Sequence, residues 1–231
     1  METQHHDPKI NIAIDGPAGA GKSTVARLVA EKMGYIYVDT GAMYRAVTLK
    51  ALESGLKDGP PEAISALARG LQIGLVPAKD GQRVSVNGDD VTDLIRSIEV
   101  NRTVSMVAQI EDVRKLLVDK QQHMAASKGV VMDGRDIGTQ VLPDAEVKVF
   151  LTASARMRAE RRYKEMDGTA MTLDELELDI QRRDRMDAER EVSPLMRADD
   201  AVLIDSTQLS IHQVVDHIID LCKEQIGKEI T

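Results

Sequence analysis

Short apolar segments recur along this chain and alternate with longer segments of helical periodicity. Five of them have the length of a strand buried on both faces and are predicted as strands: Ile10–Ile14, Tyr35–Val38, Gly129–Met132, Val147–Leu151 and Ala201–Ile204. After the first, Val25, Leu28 and Val29 recur at helical spacing, and Gly34 is predicted to end that helix. Strands that alternate with helices predict an α/β fold with a central parallel sheet covered on both faces.

The last helix has the clearest amphipathic pattern. Its apolar face consists of Val214, Val215, Ile218, Ile219 and Cys222. Cys222 is the only cysteine, so it can form no intramolecular disulfide. Its position on this face predicts a core residue rather than a nucleophile.

Residues 59 to 100 depart from the alternation. Leu71–Val76 and Arg83–Val86 alternate in part with a period of two, and Asp80-Gly81 between them is a turn signal. This stretch is predicted to be a small antiparallel insert between core elements.

Residues 154 to 197 also depart from the alternation of strands and helices, and they contain nine arginines. A charged stretch of this kind is usually a solvated helical surface. However, Arg156, Arg158, Arg161 and Arg162 lie within two turns, and only Glu160 is a close counterion in the sequence. Guanidinium groups that repel each other disfavour a helix unless an anion binds them, so this cluster is a candidate anion site.

A complete phosphate-binding loop separates the first predicted strand from the first helix. With the pattern G-x-x-x-x-G-K-[ST], it consists of Gly16, Pro17, Ala18, Gly19, Ala20, Gly21, Lys22, Ser23 and Thr24. Glycines allow backbone amides to turn towards phosphate oxygens, and the dipole of the following helix favours the same anion. Lys22 is predicted to lie near the β and γ phosphates, and the Ser23 hydroxyl is a candidate ligand of Mg²⁺.

Two further polar segments follow predicted strands. Asp133, at the end of an apolar strand, is a candidate for the Mg²⁺ shell, because nucleoside triphosphatases with this loop hold the metal at such a position. Arg135 and Asp136 come next, at the edge where open α/β sheets bind ligands. After the second strand, Asp39 or Thr40 is predicted to cap a helix, and Arg45 near that helix start favours an acidic ligand there.

Composition and charge restrict the class of protein. The chain has 231 residues and a net charge of −8, so its surface as a whole does not attract nucleic acid or membranes. The polar start, Met1–Asp7, lacks the apolar region of a secretory signal, and we expect a cytoplasmic protein that acts without nucleic-acid or membrane partners. Aromatic content of 2% also argues against a single-strand-binding ATPase, and no N-K-x-D tetrapeptide supports a GTPase switch. A kinase for another small acceptor, such as UMP, AMP or shikimate, stays open at this point.

Several of these segments together resemble the bacterial cytidylate kinases. They are Ile14–Thr24, Asp39–Arg45, Asp133–Thr139, Arg190–Leu195 and Ile204–Thr207. The resemblance covers residues 9 to 225 and implies transfer of the γ-phosphoryl group of ATP to CMP or dCMP, with Mg²⁺, by a protein we expect to be monomeric. It also implies a P-loop kinase fold with a five-stranded sheet and this division: core 1–58, 129–153 and 198–231, a monophosphate-binding domain 59–128 with the insert, and an arginine-rich helical lid 154–197.

The resemblance assigns roles residue by residue. Arg45 and Arg135 are expected to hold the CMP phosphate. The cytosine is expected to lie among Thr40, Arg114, Asp136 and Arg190, and Tyr44 is expected to belong to the same CMP site. The sugar is expected to meet Ser105, Arg183 and Asp187. The lid arginines Arg158, Arg161 and Arg162 are expected to close over the phosphoryl group that is transferred from ATP, with Arg161, like Lys22 and Arg135, as a catalytic residue. Without the resemblance, Arg183, Asp187 and Arg190 would be interpreted as an exposed charge ladder, and Glu111 with Arg114 as a surface pair.

Overall fold

The structure, a computed structural model, describes residues 8–78, 81–165 and 171–229. The polar segment Met1–Asp7 and Asp80 of the predicted turn lie outside the described residues. The core is a parallel sheet of five strands: β1 (Asn11–Asp15), β2 (Ile36–Asp39), β6 (Val130–Gly134), β7 (Val147–Thr152) and β8 (Val202–Asp205). Their order across the sheet is β2-β6-β1-β7-β8.

All five predicted core strands are confirmed, and each extends further towards its carboxyl end than the apolar pattern indicated. The added residues are polar or small, among them Asp15, Asp39, Thr152 and Asp205. They belong to the strands because the ladder is made by backbone groups, which pair whatever the side chain. Consequently, a row of polar side chains lies at the carboxyl edge of the sheet.

Eight helices are present among the described residues. They are α1 (Lys22–Met33), α2 (Thr40–Glu53), α3 (Pro61–Arg69), α4 (Ile98–Val107), α5 (Glu111–Ala125), α6 (Ala155–Glu165), α7 (Leu173–Glu189) and α8 (Ile211–Glu229). A 3₁₀ turn covers Leu94–Arg96, and a π turn covers Ile137–Val141. Gly34 ends α1 with a φ of 66°, as predicted. In the described part of the chain, no helix combines the length and the apolar character that crossing a bilayer requires.

The predicted antiparallel insert is confirmed. It is a three-stranded sheet of β3 (Ile73–Ala78), β4 (Gly81–Val86) and β5 (Asp89–Asp90). The sequence did not predict β5, because two aspartates carry no alternating pattern. Gln82 joins this insert to the core, since its side-chain amide donates to Tyr37 O at 2.7 Å and accepts from Asp39 N at 3.1 Å. The insert is thereby attached to the open edge of β2.

Separate apolar clusters support these parts. One lies between the core sheet and the helices α1 and α8, and it includes Cys222, which is buried as predicted. A second is formed by α2, α3, α4, α5 and the insert. A third, small one joins α6 to α7 through Ala159, Leu176 and Ile180.

Candidate active site

The loop after β1 has the backbone of a phosphate cradle. Gly16 has a φ of 147°, and a Cβ placed on it would lie 1.9 Å from the carbonyl oxygen of Leu151. Only glycine fits there, because the loop backbone passes directly over β7. Gly21 precedes α1 in the left-handed region, so the loop ends in the amino terminus of a helix. These conditions suit the binding of a phosphate group at the helix start.

Lys22 is buried beside this loop, and its Nζ donates to Pro17 O at 2.8 Å. Burial, followed by the repulsion of Arg135, lowers the pKa of Lys22 to about 7, although Asp133 acts in the opposite direction. An anion bound next to a buried ammonium group favours its charged form and raises its pKa again. The influence of Arg135 also shows that the loop is close to the segment that follows β6.

Asp133 lies at the carboxyl end of β6 and is held by three hydroxyl groups. Ser23 Oγ and Tyr37 OH donate to its two carboxylate oxygens, each at 2.9 Å, while Thr40 Oγ1 donates to its backbone oxygen at 2.7 Å. Burial and the nearby Asp39 raise the pKa of Asp133 to about 6. Mg²⁺ prefers hard oxygen ligands such as hydroxyl and carboxylate groups. The Ser23 hydroxyl and the Asp133 carboxylate therefore fit that ion. The described residues contain no cluster of three or more His, Cys, Asp or Glu that could hold a metal ion.

The start of α2 carries the next predicted group. Asp39 caps this helix by accepting from Ala42 N at 2.9 Å, which confirms one of the two predicted caps. Arg45 lies one turn further on, with its Nη1 3.7 Å from Asp39 Oδ1. This nitrogen is buried and has no hydrogen-bond partner among the described residues.

A buried charge cluster surrounds Asp136. Arg114 from α5 donates to one of its carboxylate oxygens, and Arg190 Nη2 lies 3.5 Å from the other. The guanidinium of Arg114 also lies 5.3 Å from the centre of the Tyr44 ring. The interpretation of Glu111 and Arg114 as a surface pair is wrong, because Arg114 is 2% exposed. Its neighbour Glu111 pairs with Lys115 instead, at 2.7 Å.

A second buried cluster lies on α7. Arg135 Nε donates to Asp187 Oδ2 at 2.8 Å. Burial acts to lower the pKa of Arg135, but the carboxylates of Asp187, Asp133 and Asp184 together raise it above its ordinary value. Burial, with repulsion from Arg135 and Arg162, lowers the pKa of Arg183 to about 10. Arg183, Asp187 and Arg190 are all buried, so they do not form the exposed ladder that their spacing alone would suggest. Ser105 is buried on α4, which packs against α7.

The three arginines of the predicted lid differ in their surroundings. Arg158 is buried and donates to the P-loop carbonyl of Ala18 at 2.9 Å, and it also pairs with Asp184 at 2.7 Å. Arg161 donates to Ser206 O at 2.7 Å and reaches Ala20 O at 3.5 Å. These two side chains therefore support the outer face of the loop. Arg162 is partly exposed and close enough to Arg183 to affect its pKa.

Arg156 has more counterions than its own helix provides. Asp174 and Glu177 of α7 lie 2.6 Å and 3.2 Å from its Nη1, and Glu160 on α6 lies 3.7 Å from its Nε. The expectation that only Glu160 compensates this charge is wrong, because the neighbouring helix supplies two more carboxylates.

Sequence reasoning missed two polar residues at this edge. Tyr37 holds Asp133, and Asp15 accepts two backbone hydrogen bonds from the π turn. Asp15 could have been found, because it ends an apolar strand as Asp133 does. Tyr37 gives no such signal, since an aromatic residue within a strand is usually explained by packing.

The fold and site define a class of protein: a P-loop kinase, in which a phosphate-binding loop lies at the same edge of a parallel sheet as a group of buried arginines. The cytidylate kinase family model matches residues 12–224. A cytidylate kinase of Geobacillus kaustophilus is 52% identical over 95% of this chain and 99% of its own, and one of Bacillus subtilis is 51% identical over the same shares. The chain belongs to the cytidylate kinase family.

Among solved structures, an uncharacterized protein from Eubacterium ventriosum is similar in fold. Its TM-score is 0.51, with 13% identity over 94% of this chain and 99% of that one. At this low identity the similarity concerns the fold and not the function.

Proposed function

We propose that the protein transfers the γ-phosphoryl group of ATP to CMP or dCMP, giving ADP and CDP or dCDP. One observation carries the acceptor half of this proposal. Four arginines, Arg45, Arg114, Arg183 and Arg190, each have a buried guanidinium nitrogen without a hydrogen-bond partner in the described part of the chain. Buried donors are rarely left unpaired, so these four indicate a polar, anionic ligand in their midst.

The donor half consists of the P-loop and Lys22. Loop amides and the α1 dipole bind the phosphates of ATP, and the ammonium of Lys22 compensates the charge that develops during transfer. Ser23 and Asp133 would hold Mg²⁺, which supplies further charge compensation on the phosphates when bound. Tyr37 and Thr40 keep Asp133 oriented for this role.

In the acceptor half, Arg45 and Arg135 bind the CMP phosphate, and Ser105, Arg183 and Asp187 bind the sugar. Asp136, between Arg114 and Arg190, reads the base. The amino group of cytosine can donate a hydrogen bond to a carboxylate, and its N3 and O2 can accept hydrogen bonds from arginines. Uracil presents an oxygen where cytosine has the amino group, and that oxygen repels the carboxylate. The base-reading cluster therefore favours CMP over UMP.

The reaction needs little covalent help from the protein. The attacking atom is an oxygen of the ionised phosphate of CMP, so no general base is required. The chain contributes the alignment of the two substrates and the compensation of their negative charge. Arg158 and Arg161 fix the loop carbonyls, while Arg162 compensates charge near the acceptor side. Closure of the region 154–197 over the substrates would exclude water that otherwise hydrolyses ATP. We further propose that the protein acts as a monomer in the cytoplasm.

A coupled assay of ADP release tests the proposal, with CMP, dCMP, UMP and AMP offered in turn. We expect CMP and dCMP to give the highest kcat/KM, and UMP to be lower by roughly 30-fold or more, since one hydrogen bond is lost and a repulsion is gained. AMP as the preferred acceptor would indicate another kinase. ADP release that does not depend on any acceptor would indicate an ATPase or a switch.

A further inference from the structure

Asp15 is a buried carboxylate to which the proposed reaction assigns no role. It is the last residue of β1, directly before Gly16 of the P-loop, and 4% of its surface is exposed. Its carboxylate nevertheless bonds to another segment: Ile137 N donates to Oδ1 at 2.8 Å and Gly138 N to Oδ2 at 2.7 Å. In sequence, Asp15 therefore adjoins the P-loop of the donor half. Its side chain, however, is bonded to the segment that follows β6.

These two amides open the π turn that follows the base-reading residue. The Asp136 carbonyl accepts from Gln140 N at 2.9 Å, so Asp136 is itself the entry to this turn. Amides in the first turn of a helical segment lack partners within that segment. Asp15 supplies partners from a neighbouring strand, and it therefore fixes where Arg135 and Asp136 leave the sheet.

The contact has little room for adjustment. A Cβ on Gly138 would lie 3.4 Å from Asp15 Oδ2 and 3.2 Å from Lys148 Cδ. The end of the Lys148 side chain is held by Asp200 at 2.7 Å. The turn at Gly138 is therefore packed closely against the Lys148 side chain and in ordinary contact with the Asp15 carboxylate.

We propose that Asp15 is a positioning residue for the acceptor half-site. Through the amides of Ile137 and Gly138 it holds Arg135 and Asp136 in a fixed relation to the P-loop, so that the acceptor phosphate meets the γ-phosphate in line. The proposal rests on the proposed function and adds a specific consequence: a residue adjacent to the ATP loop controls the binding of CMP rather than of ATP.

The test is Asp15→Asn, which keeps the size of the side chain. Its carbonyl oxygen can accept from one amide, but its NH₂ group faces the other amide as a second donor. We expect the Kd for CMP to rise about tenfold, as for the loss of one charge-assisted hydrogen bond, and the Kd for ADP to change less than about threefold. Each ligand is titrated separately by calorimetry.

Glu146→Gln is the matched control. Glu146 also accepts a backbone amide of β1, that of Asn11 at 2.7 Å, but at the opposite end of the strand. This variant should change the melting temperature and leave the ratio of the two Kd values unaltered. A purely structural role of Asp15 would give the same result for both variants, and that outcome would overturn the proposal.

A measurement on the unmodified protein covers the case in which Asp15→Asn does not fold. Amide hydrogen exchange at Ile137 and Gly138 should be slowed more by saturating CMP than by saturating ADP. Equal effects, or a larger effect of ADP, would overturn the positioning role. An unmodified protein that binds no CMP would instead overturn the proposed function, so the two failures are distinguishable.

Discussion

Asp136→Ala is the substitution whose consequences the structure defines best. Its carboxylate lies between the guanidinium groups of Arg114 and Arg190, which are 2% and 8% exposed. Removing the carboxylate leaves two cations close together with no anion between them. Burial and the repulsion of Arg114 already lower the pKa of Arg190, so this arrangement is under electrostatic strain before the change.

The expected cost is that of a buried charge left without its partner. Breaking such a pair from one side lowers the free energy of unfolding by about 3–5 kcal/mol. For a chain of this size that corresponds to a fall in melting temperature of about 10 °C. CMP affinity should fall much further than ADP affinity, because the proposed function assigns Asp136 to the base, and its carboxylate pairs with Arg114 and Arg190.

Thermal and urea unfolding measure the stability, and calorimetry measures each ligand. Arg114→Met in the Asp136→Ala background removes one of the two unpaired cations while it retains apolar volume. Since the penalty comes from that cation, the double variant should be more stable than Asp136→Ala alone. Asp144→Ala, at an exposed position, serves as the control and should change stability by less than about 0.5 kcal/mol.

Two results would refute this reasoning. A double variant that is no more stable than Asp136→Ala would mean that packing, and not charge, carries the effect. Equal losses of CMP and ADP affinity in Asp136→Ala would mean that this residue does not read the base.

Three further outcomes are expected. Lys22→Ala should lower kcat by at least about 10²-fold with the fold retained, as for the loss of a preorganised charge, and near-normal steady-state turnover would contradict the assignment. Gly16→Ala should cost at least about 2 kcal/mol in urea unfolding, because its Cβ meets the Leu151 carbonyl, whereas Gly227→Ala in α8, where a Cβ meets nothing within 4 Å, should be neutral or stabilising. Burial raises the pKa of Asp15 from 3.8 to about 6, so the folded state binds more protons than the unfolded state in that window and loses stability as pH rises through it. The stability of Asp15→Asn relative to the unmodified protein should therefore increase by about 2 kcal/mol between pH 4.5 and 7, and a pH-independent difference would exclude this titration.

The sequence predicted the core strands and the donor loop because both depend on local patterns. A short apolar run flanked by polar residues indicates a buried strand, whichever other strands it pairs with in the sheet. The loop carries its whole requirement within nine residues, Gly16 to Thr24. The strand ends were predicted less well, since Asp15 and Asp39 pair through their backbones and the apolar pattern cannot indicate that.

The charge clusters could not be predicted in the same way, for a physical reason. Spacing along one helix identifies only partners on that helix, and so it paired Arg114 with Glu111. The actual partner, Asp136, is on another element, and Arg190 reaches it from a third. A buried charge is acceptable only when tertiary structure brings its counterion to it, so its partner is by necessity distant in sequence. The residues proposed to read the second substrate are of this kind, so the family resemblance or the fold can group them, whereas their spacing along the chain cannot.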